Sequence, residues 1–249
     1  LKRKVSNMQI NSLENIFNLY LKLGLCCVVY ANVYPILNRI FLYNNNYLIL
    51  PQHKKNYIIK NIWKTIMMVY LCYFTWNNLL SVILNRDIDM NFVRIGGILY
   101  VSNDLTGLIM VDKLPSNTKM HHITTFILLN VIFLFDGNEL EIIRLIVIYT
   151  IFSYFSFLVN LYLGCRFLVL EVKDNNRVVL KINKCIEVLR HLAFYNYSIS
   201  LFLNWFIHLY YGIFYLTTFG FQHIIYLGFL VPIIRDDLIL LSWLKNKSL

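Results

Sequence analysis

Two short stretches of this 249-residue chain hold side chains that could do chemistry. The first is Tyr100-Val101-Ser102-Asn103-Asp104-Leu105-Thr106-Gly107. Three consecutive polar side chains sit there inside an apolar run, and they cannot all face lipid on one helix. The second is Leu114-Pro115-Ser116-Asn117-Thr118-Lys119-Met120-His121-His122-Ile123-Thr124-Thr125. A proline suits the first turn of a helix, where its missing N–H is no loss. A helix begun there places the two histidines roughly 9–11 Å along its axis, near the depth expected for Asp104. A carboxylate beside an imidazole fixes the ring's tautomer and raises its basicity, as general-base or nucleophilic chemistry requires. Adjacent helical residues point about 100° apart, so one histidine can face a cavity while its neighbour packs. His121, His122 and Asp104 are therefore the catalytic candidates. The plainer alternative is a buried carboxyl and imidazole that only glue helices together.

Other polar residues in apolar surroundings are candidates for binding. Asn103 precedes the aspartate, and Thr125 lies one turn after His121. Asn160 sits late in a long apolar segment with Arg166, whose side chain can snorkel toward headgroups. His208, in Asn204-Trp205-Phe206-Ile207-His208, reads either as a ligand contact or as a hydrogen-bonded core histidine. Asp236 and Asp237 follow Arg235 and can pair with it locally. No HExxH, nucleotide-binding glycine loop or Gly-x-Ser-x-Gly elbow occurs, and no metal or cofactor is expected.

The elements that must position these residues are membrane helices. Apolar residues make up 58% of the chain, aromatic residues 16% and charged residues only 14%, against roughly 25% charged in soluble domains. A soluble fold of this length could not hide so much apolar surface. The sequence predicts an all-α, polytopic bundle with about seven crossings. They run from Ile16 to Leu42, Ile58 to Leu84, Val93 to Val111 and Pro115 to Phe135. Three more run from Leu140 to Leu170, Cys185 to Leu216 and Phe219 to Leu244. Pro35 and Pro232 can kink the first and last. Residues 1–15 and 245–249 are tails, and Lys2-Arg3-Lys4 precedes polar residues rather than a signal-peptide apolar run.

The net charge is +10. The basic residues lie mostly between apolar runs, so they read as topology signals and contacts to anionic lipid. Nucleic acid is not an expected partner, because no soluble domain carries a basic stripe. Lys54, Lys55, Lys60, Lys113, Lys119, Lys173, Arg177, Lys181, Lys184, Lys245 and Lys247 share one side, expected to be cytosolic. The N-terminus then lies on the other side. Cys26, Cys27, Cys72, Cys165 and Cys185 form no CxxC pair and read as free thiols.

An aspartate in one helix, a short basic loop, then His-His-x-x-Thr opening the next resembles the TLC domain of the TRAM, LAG1 and CLN8 proteins. The matching stretch is Asp104 through Thr125, and the likeness extends over roughly residues 50–245. It implies a multi-pass protein of the endoplasmic reticulum, with the N-terminus lumenal and the C-terminus cytosolic. It also implies a role with membrane lipids, of sphingolipid or ceramide type. In ceramide synthases the paired histidines are implicated in moving an acyl group from acyl-CoA to a sphingoid base. That implies catalytic roles for His121 and His122, with Asp104 in support and acyl-CoA as a substrate. Ceramide synthases carry a further His-Asp-x-x-Asp segment; here Tyr149 through Leu163 holds neither acid nor histidine. The likeness is thus closer to the small TLC-domain proteins concerned with lipid composition, sensing or trafficking. A non-catalytic lipid sensor or carrier, a small transporter and a receptor are the alternatives. The sequence sets no oligomeric state.

Overall fold

The computed structural model describes residues 9–10, 12–84, 88–136, 141–169, 177–214 and 221–246. The fold is all-helical apart from one two-residue antiparallel ladder, β1 (Gln9–Ile10) on β2 (Phe135–Asp136). The helices are α1 (Leu13–Phe41), α2 (Asn45–Leu48), α3 (Gln52–Ile83), α4 (Met90–Met110) and α5 (Ser116–Leu134). They continue with α6 (Glu141–Tyr154), α7 (Phe157–Cys165), α8 (Arg177–Phe214) and α9 (Phe221–Asn246).

Local chemistry sets several boundaries. The Asp89 carboxylate accepts from the amides of Asn91 and Phe92 at 3.0 and 3.2 Å, capping α4,. Pro51 and Pro115 stand at the caps of α3 and α5, where an absent N–H is harmless. Pro35 and Pro232 lie inside α1 and α9.

The fifth expected helix is not continuous. Leu140 and Leu170 fall outside the described residues, and the segment between them holds α6 and α7, bent by 40°. At the break, the amides of Phe155 and Ser156 donate to carbonyls only three residues back, at 3.2 and 3.1 Å. The Ser156 hydroxyl also donates to the Ser153 carbonyl at 2.7 Å. A side chain that takes the carbonyl meant for the next turn bends a helix without proline.

Helix neighbours follow one circuit. α3 packs on α4, α4 on α5, α5 on α9, α9 on α8, and α8 on α6 and α7, which return to α3. Six walls therefore close on themselves, with α3 and α9 on opposite sides. α1 lies outside the circuit against α4, α3 and α5. Its inward stripe is Leu19, Leu23, Tyr30 and Tyr34. The Tyr30 hydroxyl donates to the Leu99 carbonyl at 3.2 Å, and Tyr20 bonds to Asn130 on α5. Gly164 lets α7 approach α3, since a Cβ there would stand 2.7 Å from Ile62 Cδ1.

α1 alone is long and apolar enough to cross a membrane, and Ile142–Tyr154 with Phe157–Cys165 meets the same criterion as a pair. Those two are the candidate spans among the described residues, fewer than the seven expected. α4 and α9 interrupt their apolar runs with Arg94, Asn103 and Asp104, and with Arg235, Asp236 and Asp237. The outer surface is nonetheless apolar. Phe17, Leu25 and Val28 of α1, Tyr73 of α3, Phe202 and Leu209 of α8 and Val231 of α9 are all more than half exposed.

Candidate functional site

The six walls enclose a cavity of about 350 Å³. It lies toward one end of the bundle, where α3, α5 and α8 begin and α4, α7 and α9 end. Apolar lining comes from Leu114, Phe152, Val159, Leu163, Leu201 and Leu240. The charged and imidazole lining comes from Lys60 and Lys64 on α3, His121 and His122 on α5, Asp236 and Asp237 on α9, and Arg166 at the end of α7.

Asp104 and His122 do meet. His122 Nδ1 is 3.2 Å from Asp104 Oδ2, though without the alignment of a full hydrogen bond. Two lysines complete the group. The Lys64 ammonium donates to Asp104 Oδ1 at 2.5 Å, and Lys60 Nζ is 2.7 Å from His122 Nε2. A charged lysine has donors only. Nε2 must therefore accept, and the ring proton resides on Nδ1, toward the carboxylate. Asp104 is completely buried and is absent from the cavity lining, so it acts from behind Lys64 and His122. Lys60 is held in this position by its own stem. A Cβ on Gly107 would stand 2.6 Å from Lys60 Cε, so a side chain there would push the lysine stem aside.

His121 is in a different situation. Its ring is 86° from that of His122, and its Nδ1 is 3.5 Å from Asp236 Oδ2. No hydrogen bond engages its Nε2 among the described residues. Both nitrogens of His122 face fixed partners, so His121 is the member of the pair with a nitrogen open for chemistry. Its approach to Asp236 is long for a hydrogen bond, as catalytic contacts often are before substrate tightens them.

The four binding candidates divide. Asn160 lines the cavity, and its amide lies 3.2 Å from Met68 Sδ. Asn103 is buried but does not line it, and its Oδ1 has no partner. Thr125 lines a separate small pocket of about 20 Å³ and donates to the His122 carbonyl at 2.9 Å. His208 stands apart in the α8–α9 packing, bonded to the Asn204 carbonyl at 2.9 Å and the Tyr226 hydroxyl at 3.1 Å.

Several side chains are placed differently from the sequence expectation. Lys60, expected on the cytosolic rim, is 4% exposed and faces the cavity. Asp236 and Asp237 do not pair with Arg235. Asp236 accepts from the Thr118 hydroxyl at 3.4 Å, and Asp237 from the Tyr197 hydroxyl at 2.6 Å. Arg166 also lines the cavity. Its guanidinium lies 4.5 Å from the rings of both Phe167 and Trp243, and 5.8 Å from that of Tyr57. Lys64, Tyr197 and these acids were open to detection. Lys60 and Lys64 are spaced i, i+4 on one helical face, and Asp236-Asp237 interrupts an apolar run.

Among the described residues, no group of histidine, cysteine and carboxylate side chains is arranged to hold a metal ion. Comparison of the chain with protein-family models, with curated proteins and with solved structures finds no match.

Proposed function

We propose that this chain is a multi-pass membrane protein of TLC type that encloses an amphiphilic lipid and transfers an acyl group at His121. The observation that carries the reading is the cavity between the six walls: apolar over much of its lining, with His121, His122 and charged side chains facing it. The inside-out distribution of polarity supports the membrane setting. Exposed leucine, isoleucine, valine and phenylalanine cover the outside, while Lys60, Lys64, Asp104 and Asp237 are buried. Burying so many ionisable groups is costly and marks a functional interior. α1, α3, α4, α5, the α6–α7 pair, α8 and α9 make seven crossings. The cavity mouth faces the cytosol, where the basic rim lies, and the resemblance to TLC proteins favours the endoplasmic reticulum.

In the reaction, an acyl thioester such as acyl-CoA enters beside a lipid amine, for which the resemblance supplies a sphingoid base. His121 Nε2 takes a proton from the amine as its nitrogen attacks the thioester carbonyl. The C–N bond forms, the C–S bond breaks, and the departing thiolate receives that proton. Amide and thiol are the products. Asp236 orients the imidazole. His122, held between Lys60 and Asp104, is a positioning residue.

The test is thiol release by the purified chain in neutral detergent, given long-chain acyl-CoA and a sphingoid base, alongside native mass spectrometry for retained lipid. Turnover lost in His121→Ala supports the reaction. Retained lipid without turnover assigns a carrier or sensor instead, and neither result removes the lipid reading altogether. Transport is the second reading, favoured by the spread of buried charge over α3, α4, α5 and α9,. Substrate flux into liposomes distinguishes it.

A further inference from the structure

Several charged groups that line the cavity form no direct lysine–carboxylate or arginine–carboxylate pair among the described residues. Lys64 and Asp104 neutralise each other. Lys60 does not share that arrangement, because its close polar contact is the His122 imidazole. Arg166 is flanked by three aromatic rings, its Nε has no hydrogen-bond partner, and no carboxylate pairs with it among the described residues. Arg166, at the end of α7, stands between Tyr57 of α3 and Trp243 of α9 and lines the same cavity as Lys60. Across from α3, α9 presents Asp236 and Asp237. Their contacts are the Thr118 and Tyr197 hydroxyls and the His121 ring, not a lysine or arginine. Asp237 Oδ2 is buried without a partner.

A buried charge needs a counter-charge or it destabilises the fold. Cations and carboxylates that line one cavity without pairing with each other suit a ligand with both signs. We propose that the enclosed lipid has a zwitterionic head, with its phosphate against Lys60 and Arg166 and its primary ammonium against Asp236 and Asp237. A guanidinium fork and an ammonium suit phosphate oxygens. Carboxylates flanked by hydroxyls suit an ammonium that donates hydrogen bonds. The apolar lining at Val159, Leu163, Leu201 and Leu240 takes the tail. This inference rests on the lipid-site reading above and names its ligand class. It places the acceptor amine beside Asp236, the residue that also faces His121, and adds a phosphate to the acceptor that a sphingoid base lacks.

The test is calorimetric titration of the full chain in neutral maltoside with three single-tailed probes. Lysophosphatidylethanolamine has both charges, lysophosphatidate only phosphate, and octadecylamine only the amine. The zwitterion is expected to bind at least tenfold more tightly than either of the others. Lys60→Met and Arg166→Gln each weaken the two phosphate probes tenfold or more and leave octadecylamine unchanged. Asp236→Asn weakens the two amine probes and leaves lysophosphatidate unchanged. Arg166→Gln, at the cavity edge, serves where Lys60→Met lowers the melting temperature. Binding of lysophosphatidate or octadecylamine as tight as the zwitterion overturns the inference and leaves the lipid site standing. Lysophosphatidylethanolamine binding indifferent to both cation substitutions overturns it equally. Failure of all three probes to bind removes the lipid-site reading along with it.

Discussion

Replacing Asp104 with leucine tests the network behind the histidines. Asp104 is completely buried, and Lys64 is 6% exposed, with Nζ 2.5 Å from Oδ1. Without the carboxylate, the nearest contact left to the Lys64 ammonium among the described residues is the Tyr100 ring, 4.5 Å away. A cation–π contact contributes about 0.5–2 kcal/mol, whereas stranding one partner of a buried ion pair costs about 3–5 kcal/mol. Asp104→Leu is therefore expected to destabilise the fold by about 3 kcal/mol net of the ring. Lys64→Met strands the carboxylate instead and costs a similar amount, about 3 kcal/mol. Removing both partners strands neither charge. The remaining loss is His122's Nδ1 partner, about 1–2 kcal/mol. The double variant should thus be more stable than either single one, a coupling of several kcal/mol. Reversible unfolding in mixed micelles of neutral detergent and dodecyl sulfate measures all four proteins. Additive losses, or an Asp104→Leu change below about 1 kcal/mol, would refute the buried-pair argument.

The two histidines should separate in thiol release. His121→Ala loses the open nitrogen and about 10²–10⁴-fold in turnover, whereas His122→Ala leaves a smaller deficit because it acts through position; equal losses would contradict the assignment. Gly107→Ala forces a methyl into the Lys60 stem. Its melting curve should show a loss of about 1–3 kcal/mol, and an unchanged curve would mean the stem has another path. Tyr197→Phe removes the donor that holds Asp237 at 2.6 Å, with an expected cost of about 1–3 kcal/mol in the same unfolding assay. Gly164→Val should loosen the α3–α7 contact at Ile62 and lower stability by about 1–3 kcal/mol, measured the same way.

From the sequence alone it was legible that the chain is helical, that long apolar segments follow one another between basic loops, and that a histidine after Pro115 could reach Asp104, as His122 does. Those are local matters. Apolar run length reads directly as helix, and a short connection between α4 and α5 forces them to be neighbours. Pro115 marked a helix start for a reason confined to one turn.

Tertiary structure decided what surrounds the pair. Lys64 lies 40 residues before Asp104 and reaches it only because α3 packs on α4; Lys60, which looked like a rim lysine, reaches His122 from the same helix. Asp236 faces His121 because α9 packs on α5, a contact across more than a hundred residues that no local pattern encodes. Periodicity gave no warning of the bend after Tyr154, which arises from serine hydroxyls competing for carbonyls. The step of about 100° between His121 and His122 showed that they would differ but not which would do what; that follows from each meeting a different helix. Helix formation is governed by neighbours along the chain, whereas the identity of a buried charge's partner is governed by the closure of the six walls.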